Sequence, residues 1–357
     1  MIDRFLILNH GDPRPDVERI IYCDGAGGRQ FRQETDLELS HWRPNRTPSR
    51  FRAGTSTEIC FRFFDDPVPG EWTLAVNNHL DVDGLLSVYT LVDSRRALAQ
   101  RDTIIAAAEM GDFWGWGESS AQRLFQGLTR LMNARSAHQV SVQSIYEEAL
   151  PSVPGLIQGT VSDSVAIDVS LAPLRRAVEL VERGEIRRVP RGGHFTQYVI
   201  PGEVVGGEMD RALRVPGFNE AISENVLLWP QARARWDAER VCLVSTEGPA
   251  GWYHDLWFPG YHWADTEGLW TVPGLCFRDG MDSYDLAHPG LLAAVGQLQR
   301  SETASGTWSL GDGSSPFHPE LQSLFPVGLR FVDERGNPTP SRLAPDDVAV
   351  PLAAALA

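Results

Sequence analysis

The chain has 357 residues, 42% of them hydrophobic, and carries a formal net charge of -15 from 47 acidic against 32 basic residues. All 32 basic residues are arginine, which excludes lysine-dependent chemistry such as a P-loop, a pyridoxal Schiff base or a Ser-Lys pair. The acidic balance argues against coating long nucleic acid, whose sequence-independent affinity comes from neutralised phosphates, and no run approaches the ~18 apolar residues of a membrane span. Any anionic partner must be held by arginine, metal or backbone amides, which points to a small anionic substrate.

The chain is long enough for two domains. Residues 1–68 read as a β-rich N-terminal segment, with strands expected at 19–23 (RIIYC), 36–39 and 57–64 (TEICFRFF) between glycine, proline and asparagine turns. Between them Arg43, Arg46 and Arg50 stand with Thr47 and Ser49 and would clamp a substrate anion if they converge. The alternative is a solvated loop whose arginines pair with surplus acids. Asp66-Pro67-Val68-Pro69-Gly70 makes a natural break.

Residues 69–194 read as an α/β domain, a mostly parallel sheet with helices on both faces. Its first strand covers 72–76, and the apolar pattern from Leu85 onward suits a helix. Helices are expected at 94–110, 119–133 and 174–182, more helix at 140–150, and a strand at 161–170 (VSDSVAIDVS) from its alternation. The apolar run before Asp112 would deliver that carboxylate to a loop. Trp114 and Trp116, set among glycines, suit a stacking wall for a base or sugar, or core aromatics beside a turn.

Residues 195–357 change to an α+β, tryptophan-rich pattern with strands expected at 197–200, 241–245, 275–278 and 328–332, and read as a substrate domain. His254 with Asp255, and His262 with Asp265, could serve acid/base or metal chemistry, although histidines among aromatics also act as packing residues. The glycine- and serine-rich stretch 306–318 lacks phosphate-loop spacing and reads as a surface loop. The apolar tail 348–357 suits a docking tail or an interface strand, and a homodimer is compatible with the chain. Cys23, Cys60, Cys242 and Cys276 are scattered without a Cys-x-x-Cys pair, so buried thiols are expected, and the N-terminus has no basic-then-apolar leader. A soluble, cytoplasmic protein is the expectation.

Between the first α/β strand and its helix lies His79-Leu80-Asp81-Val82-Asp83-Gly84. Three metal-competent side chains two residues apart would sit at the carboxyl end of a strand, where open α/β sheets place their ligands. Carboxylates this crowded repel one another unless a cation or hydrogen-bond donors compensate them. The segment resembles the first motif of the DHH phosphoesterase superfamily, which holds manganese. The resemblance implies that His79, Asp81 and Asp83 ligate a two-metal centre that activates water against a phosphoester, that Asp112 is a later ligand, and that Gly84 lets the chain turn sharply. Gly192-Gly193-His194 is faintly similar to the family's glycine-rich histidine motif, whereas no Asp-His-His triplet occurs in the chain.

The expected function is therefore metal-dependent hydrolysis of a phosphoester in a small nucleotide-like or phosphorylated substrate. Asp83, Asp112 and His254 are the candidate catalytic groups, and Arg43, Arg46, Arg50, Trp114, Trp116 and His194 the candidate substrate contacts. His79, Asp81, Asp83 and Asp112 are the candidate ligands, with Mn2+ favoured and Fe2+ or Zn2+ compatible with the mixed donors. Two other readings compete. His79-x-Asp81 with His194 could form the triad of a mononuclear non-haem iron oxygenase, which needs an all-β scaffold. In a non-enzymatic binding module the two aspartates would simply cap the following helix.

Overall fold

The computed structural model describes residues 4–9, 11–261, 263–266, 284–286, 288–311, 313–314 and 326–356. The expected strand at 275–278, His262, Cys276 and most of 312–325 lie outside the described residues. The chain divides into two compact units, one formed by Met1–Ala172 with Gly217–Ile222 and Ala264–Leu269, the other by Pro173–Pro216, Ser223–Trp263 and Trp270–Ala357.

In the first unit, strands β1 (Phe5–Leu8), β2 (Ile20–Cys23) and β3 (Leu37–Leu39) precede helix α1 (Ser56–Asp65) and strand β4 (Thr73–Asn77). The four strands form one sheet in the order β1-β4-β2-β3, and every pairing is parallel. Strands from the first 68 residues and the strand that leads to the histidine-aspartate motif are thus direct neighbours. Ile20, Tyr22 and Ala75 pack against Leu8, Val17 and Phe31 on this sheet. The remainder is helical: α2 (Val82–Val92), α3 (Ser94–Leu98), α4 (Arg101–Asp112), α5 (Ser119–Ala137), α6 (Val142–Ala149), α7 (Val153–Gln158) and α8 (Ser164–Ser170). Helix α2 packs against α1 and α4 and is buried from Val82 to Leu91, which explains why its sequence is apolar all round rather than striped.

Two expected strands are helices. Residues 57–64 lie within α1, where Thr55 caps by accepting from Glu58 N and the Glu58 carboxylate accepts from Gly54 N. That Thr-x-x-Glu capping pattern outweighs the β preference of Ile59, Phe61 and Phe63. In 161–170 the alternating apolar residues do not line a buried face: Ile167 is buried, whereas Val165 and Val169 are 75% and 66% exposed on α8. The alternation was a local coincidence without a sheet to receive it.

The second unit opens with α9 (Ala172–Glu182), which straddles the boundary, then β5 (Arg187–Arg191), β6 (Phe195–Ile200), α10 (Gly202–Val205), α11 (Met209–Leu213), α12 (Pro230–Asp237), β7 (Val241–Gly248) and β8 (Gly251–Trp257). After these come β9 (Tyr284–Asp285), α13 (Pro289–Ser301), β10 (Thr307–Leu310), β11 (Gly313–Ser314), β12 (Val327–Val332) and α14 (Pro345–Ala355). Six strands form a mixed sheet, β10-β12-β8-β7-β6-β5, in which only β6 and β7 run parallel. Its core joins Phe195, Val241, Leu256 and Phe331 to Leu291 and Leu298 of α13 and Val348 and Leu352 of α14. The expected strands at 197–200, 241–245 and 328–332 fall within β6, β7 and β12. The expected tail is helix α14, which turns Val348, Ala349 and Leu352 into this core. Among the described residues, no helix is long and apolar enough to cross a membrane.

One ion pair, between the buried Asp237 and the partly exposed Arg188, ties α12 to this sheet. Asp237 takes both Arg188 donors at 2.7 Å and accepts from Thr196 at 2.9 Å, while Tyr198 also donates to it. Removing Asp237 leaves the buried Tyr198 hydroxyl without its acceptor, while Arg188 stays partly solvated, so Asp237→Ala is expected to cost about 1–3 kcal/mol. Urea denaturation followed by tryptophan fluorescence measures this, and a loss below ~1 kcal/mol would show that the network does not hold the sheet together.

Candidate metal centre

The parallel sheet brings all its strand carboxyl ends to one edge, and the site is built there. With Cys23 in register with both Leu39 and Val76, the residues just beyond β2, β3 and β4 become neighbours. They are Asp24, His41 and His79. Asp24 has a left-handed backbone, φ 47°, and is fully buried. Its carboxylate accepts from Trp42 Nε1 at 2.8 Å, Ser56 Oγ at 2.7 Å and His79 Nε2 at 2.8 Å.

The motif residues converge on the same point. His79 Nε2 lies 3.2 Å from Asp81 Oδ2 as well as 2.8 Å from Asp24 Oδ2. Asp81 is the N-cap of α2, accepting from Gly84 N at 2.7 Å. Asp83 points instead at the start of α1, where its two oxygens accept from Ser56 N at 2.8 Å and Thr57 N at 2.9 Å. Each aspartate therefore caps a helix, but not the same helix. His41, fully buried, shares its Nδ1 with the Gly54 carbonyl at 2.9 Å. A proton on Nδ1 leaves the Nε2 lone pair facing Asp112, Asp83 and Asp24 at 3.3, 3.6 and 3.8 Å.

Two groups of donors follow, Asp24 with His79 and Asp81, and Asp24 with His41 and Asp83; within each, one ligand atom per residue lies within 4.8 Å of the others. Asp24 belongs to both. Asp112, at the end of α4, adds a buried carboxylate beside the second group; among the described residues its Oδ2 has no hydrogen-bond partner, and it lies 3.3 Å from His41 Nε2. Asn219 Nδ2 reaches its Oδ1 at 3.4 Å.

A second orphan is the buried Tyr146 hydroxyl on α6, which has no hydrogen-bond partner among the described residues. It faces Gly84 from across the site: a Cβ built there would meet Tyr146 Oη at 2.7 Å, Asp24 Oδ2 at 2.9 Å and Asp81 Oδ1 at 3.0 Å. Glycine at 84 thus keeps open a space ringed by oxygen atoms.

The charges explain what such a space would hold. Four buried or half-buried carboxylates face two imidazoles, and among the described residues no arginine pairs with any of the four. Burial would raise Asp24, but the bond and charge of His79, with His41 and Ser56, hold it at about 2. Burial raises Asp83 well above the usual range, reinforced by the charges of Asp24 and Asp112 and opposed by His41 and Thr57. Burial and the charges of Asp81 and Asp24 likewise lift Asp112 to about 6 against the pull of His41. His41 overcomes its own burial through Asp112, Asp83 and Asp24 and rises to about 10. His79 is raised by Asp81 and Asp24 in the same way. Protons thus occupy positions that cations could take, and the mixed oxygen and imidazole donors fit divalent metal ions.

Of the candidate ligands, His79, Asp81, Asp83 and Asp112 all gather here. Arg43, Arg46 and Arg50 do not converge: Arg43 faces Asp265 at 3.3 Å, Arg46 faces Glu38 at 3.1 Å, and Arg50 faces Asp66 at 2.9 Å. Trp114 is 4% exposed with its ring 4.7 Å from Phe218, and Trp116 donates to Glu118 at 3.4 Å. Neither forms an open wall. His254 belongs to the second unit, 2% exposed, with Nδ1 2.9 Å from Ser245 Oγ and Nε2 3.2 Å from the Leu343 carbonyl. His194 lies in the exposed turn between β5 and β6 of that unit. The motif strand sits in a parallel sheet and leads into helix α2, not the all-β scaffold that the oxygenase triad requires. Asp24, His41 and Tyr146 were missed, because Asp24-Gly25 and Ser40-His41 carry no local signal beyond following a short strand.

A family of unknown function, DUF6687, matches residues 12–186, a span containing Asp24, His41, His79, Asp81, Asp83, Asp112 and Tyr146. No curated protein and no solved structure matches the chain.

The charges also set a pH dependence for chelated protein. His41, raised from 6.5 to about 10, contributes stability that is complete below the lower value and lost as pH rises through the higher. Asp112, raised from 3.8 to about 6, acts in the same direction, its protonated form favouring the fold until pH passes through about 6. Asp24, lowered from 3.8 to about 2, loses its contribution only as pH falls through about 2. In excess chelator the melting temperature is therefore expected to fall between about pH 6 and about pH 9, and a rise over that interval would contradict this arrangement of charges.

Proposed function

We propose that the chain is a divalent-metal-dependent hydrolase acting on a phosphoester of a small anionic substrate. The observation that carries this reading is Asp24, the one carboxylate common to both donor groups. Asp24, His79 and Asp81 would hold one cation, and Asp24, His41, Asp83 and Asp112 the second. Manganese suits these mixed donors best, with iron or zinc as alternatives. Bound as a pair, such cations supply the charge that lowers the pKa of a water and stabilises the departing oxygen of a phosphoester.

The protein's own groups complete the setting. Trp42 and Ser56 fix the Asp24 carboxylate, and Gly54 fixes the His41 ring, so both are oriented before a ligand arrives. Burial and the neighbouring Asp81 and Asp24 charges keep the Tyr146 hydroxyl protonated, leaving it a donor for an oxygen in the space beside Gly84. Helix capping accounts for Asp81 and Asp83, but it gives no role to His41, Asp112 Oδ2 or Tyr146 Oη. A mostly parallel sheet with helices on both faces and a cytoplasmic setting, consistent with the free buried thiols of Cys23, Cys60 and Cys242, belong to the same reading.

Elemental analysis after incubation with manganese, run beside hydrolysis of a chromogenic phosphodiester and phosphomonoester, tests the proposal. Wild type should retain two cations per chain. Asp81→Asn should retain one and Asp24→Asn none, and both should lose about a hundredfold or more in rate. A wild-type protein that holds no manganese, iron or zinc would refute it, as would an Asp24→Asn variant that keeps both ions.

A further inference from the structure

A cavity of about 790 Å³ opens at the same edge of the parallel sheet, walled by residues at the ends of β1, β2 and β4. Its volume is that of a small-molecule site. Asn77 joins it to the metal centre: this residue ends β4, stands in the wall two residues before His79, and lays its carboxamide against Gly25, where a built Cβ would be 2.6 Å from Nδ2.

The wall chemistry is specific. Arg29 contributes a guanidinium that, among the described residues, faces no carboxylate. Among the described residues, neither end of the Asn77 amide has a hydrogen-bond partner. Asp12 is held in place by Asn9, whose N and Nδ2 donate to its Oδ2 at 2.7 and 2.9 Å, leaving Oδ1 to accept from a hydroxyl. Gly28, at φ 54° with nothing within 4 Å of a built Cβ, leaves the backbone open. Tyr22, the one aromatic in the described wall, is 3% exposed and lies beneath Gly27, where a Cβ would strike its ring at 2.7 Å. No aromatic face is offered to a nucleobase.

Resting on the phosphoester reading above, we infer that this cavity receives the alcohol part of the substrate, a small polyhydroxylated, sugar-like group bearing a second anionic substituent that Arg29 binds. The substrate class is thus a sugar phosphate with an additional phosphate or carboxylate. Nucleotides are disfavoured, because base recognition draws on stacking that this wall lacks. The carboxamide and the Asp12 carboxylate supply donor and acceptor groups suited to hydroxyls.

Isothermal titration calorimetry with manganese-loaded protein tests this, using non-hydrolysable phosphonate analogues of ribose 5-phosphate, ribose 1,5-bisphosphate and AMP. The bisphosphate analogue should bind about tenfold tighter than the monophosphate analogue, and Arg29→Ala should erase that advantage without changing the manganese content. The AMP analogue should bind no tighter than that of ribose 5-phosphate. A preference for AMP, no preference for the second phosphate, or a preference that survives Arg29→Ala would each overturn the inference. The metal reading is judged separately by manganese content: normal content without the bisphosphate preference removes the cavity assignment alone. An Arg29-dependent preference in protein that holds no manganese keeps the cavity and removes the metal reading.

Discussion

A buried carboxylate with more neighbours of its own sign than protein donors can neutralise is the constraint on which this unit turns. Asp24 satisfies three hydrogen bonds and still sits beside Asp81 and Asp83, with Asp112 across the His41 ring. Burying charge is costly unless something compensates it. Here protons on His41 and His79 do part of that work, and Asp83 and Asp112 are shifted toward their protonated forms. A fold selected for stability alone would place apolar groups at the ends of these strands. This one gathers six ionisable groups beside them, and the proposed cations would provide the reason.

The surrounding architecture serves that edge. Parallel pairing sends β1, β2, β3 and β4 in one direction, so the loops after them open on the same side. The helices lock individual candidate ligands: α1 offers amide donors to Asp83, α2 offers one to Asp81, and α4 ends at Asp112. Capping leaves Asp81 one carboxylate oxygen that could meet a cation, whereas both oxygens of Asp83 already accept amide donors and could bind one only through their remaining lone pairs. Asp81 gives Oδ1 to Gly84 N and turns Oδ2 to His79. The carboxamide of Asn77 then links this centre to the cavity at the strand ends.

Much of this was legible in the order of residues. The alternation of His79, Asp81 and Asp83 between an apolar strand and an apolar helix located the centre of the site, since a strand-turn-helix passage fixes where such side chains lie. Asp112 was legible for a similar reason, standing at the end of an apolar helix. The capping pattern Thr55-x-x-Glu58 was also present, but the β preference of the following residues masked it. The arginine cluster misled in another way: proximity along the chain says nothing about convergence, and Arg43, Arg46 and Arg50 each found a different acid.

The sequence by itself determined the local elements around the motif, the absence of lysine chemistry and the acidic character of the turn, because these depend on residue type and short-range spacing. Only the tertiary structure decided that Asp24 and His41, which precede the motif by tens of residues, complete it, and that Tyr146 aims a hydroxyl at Gly84 from a distant helix. Those relations depend on strand order and parallel register, which arise when non-local segments pair and which no short-range pattern in the chain specifies. Asp24 is an ordinary aspartate after a four-residue strand until β4 is laid beside β2.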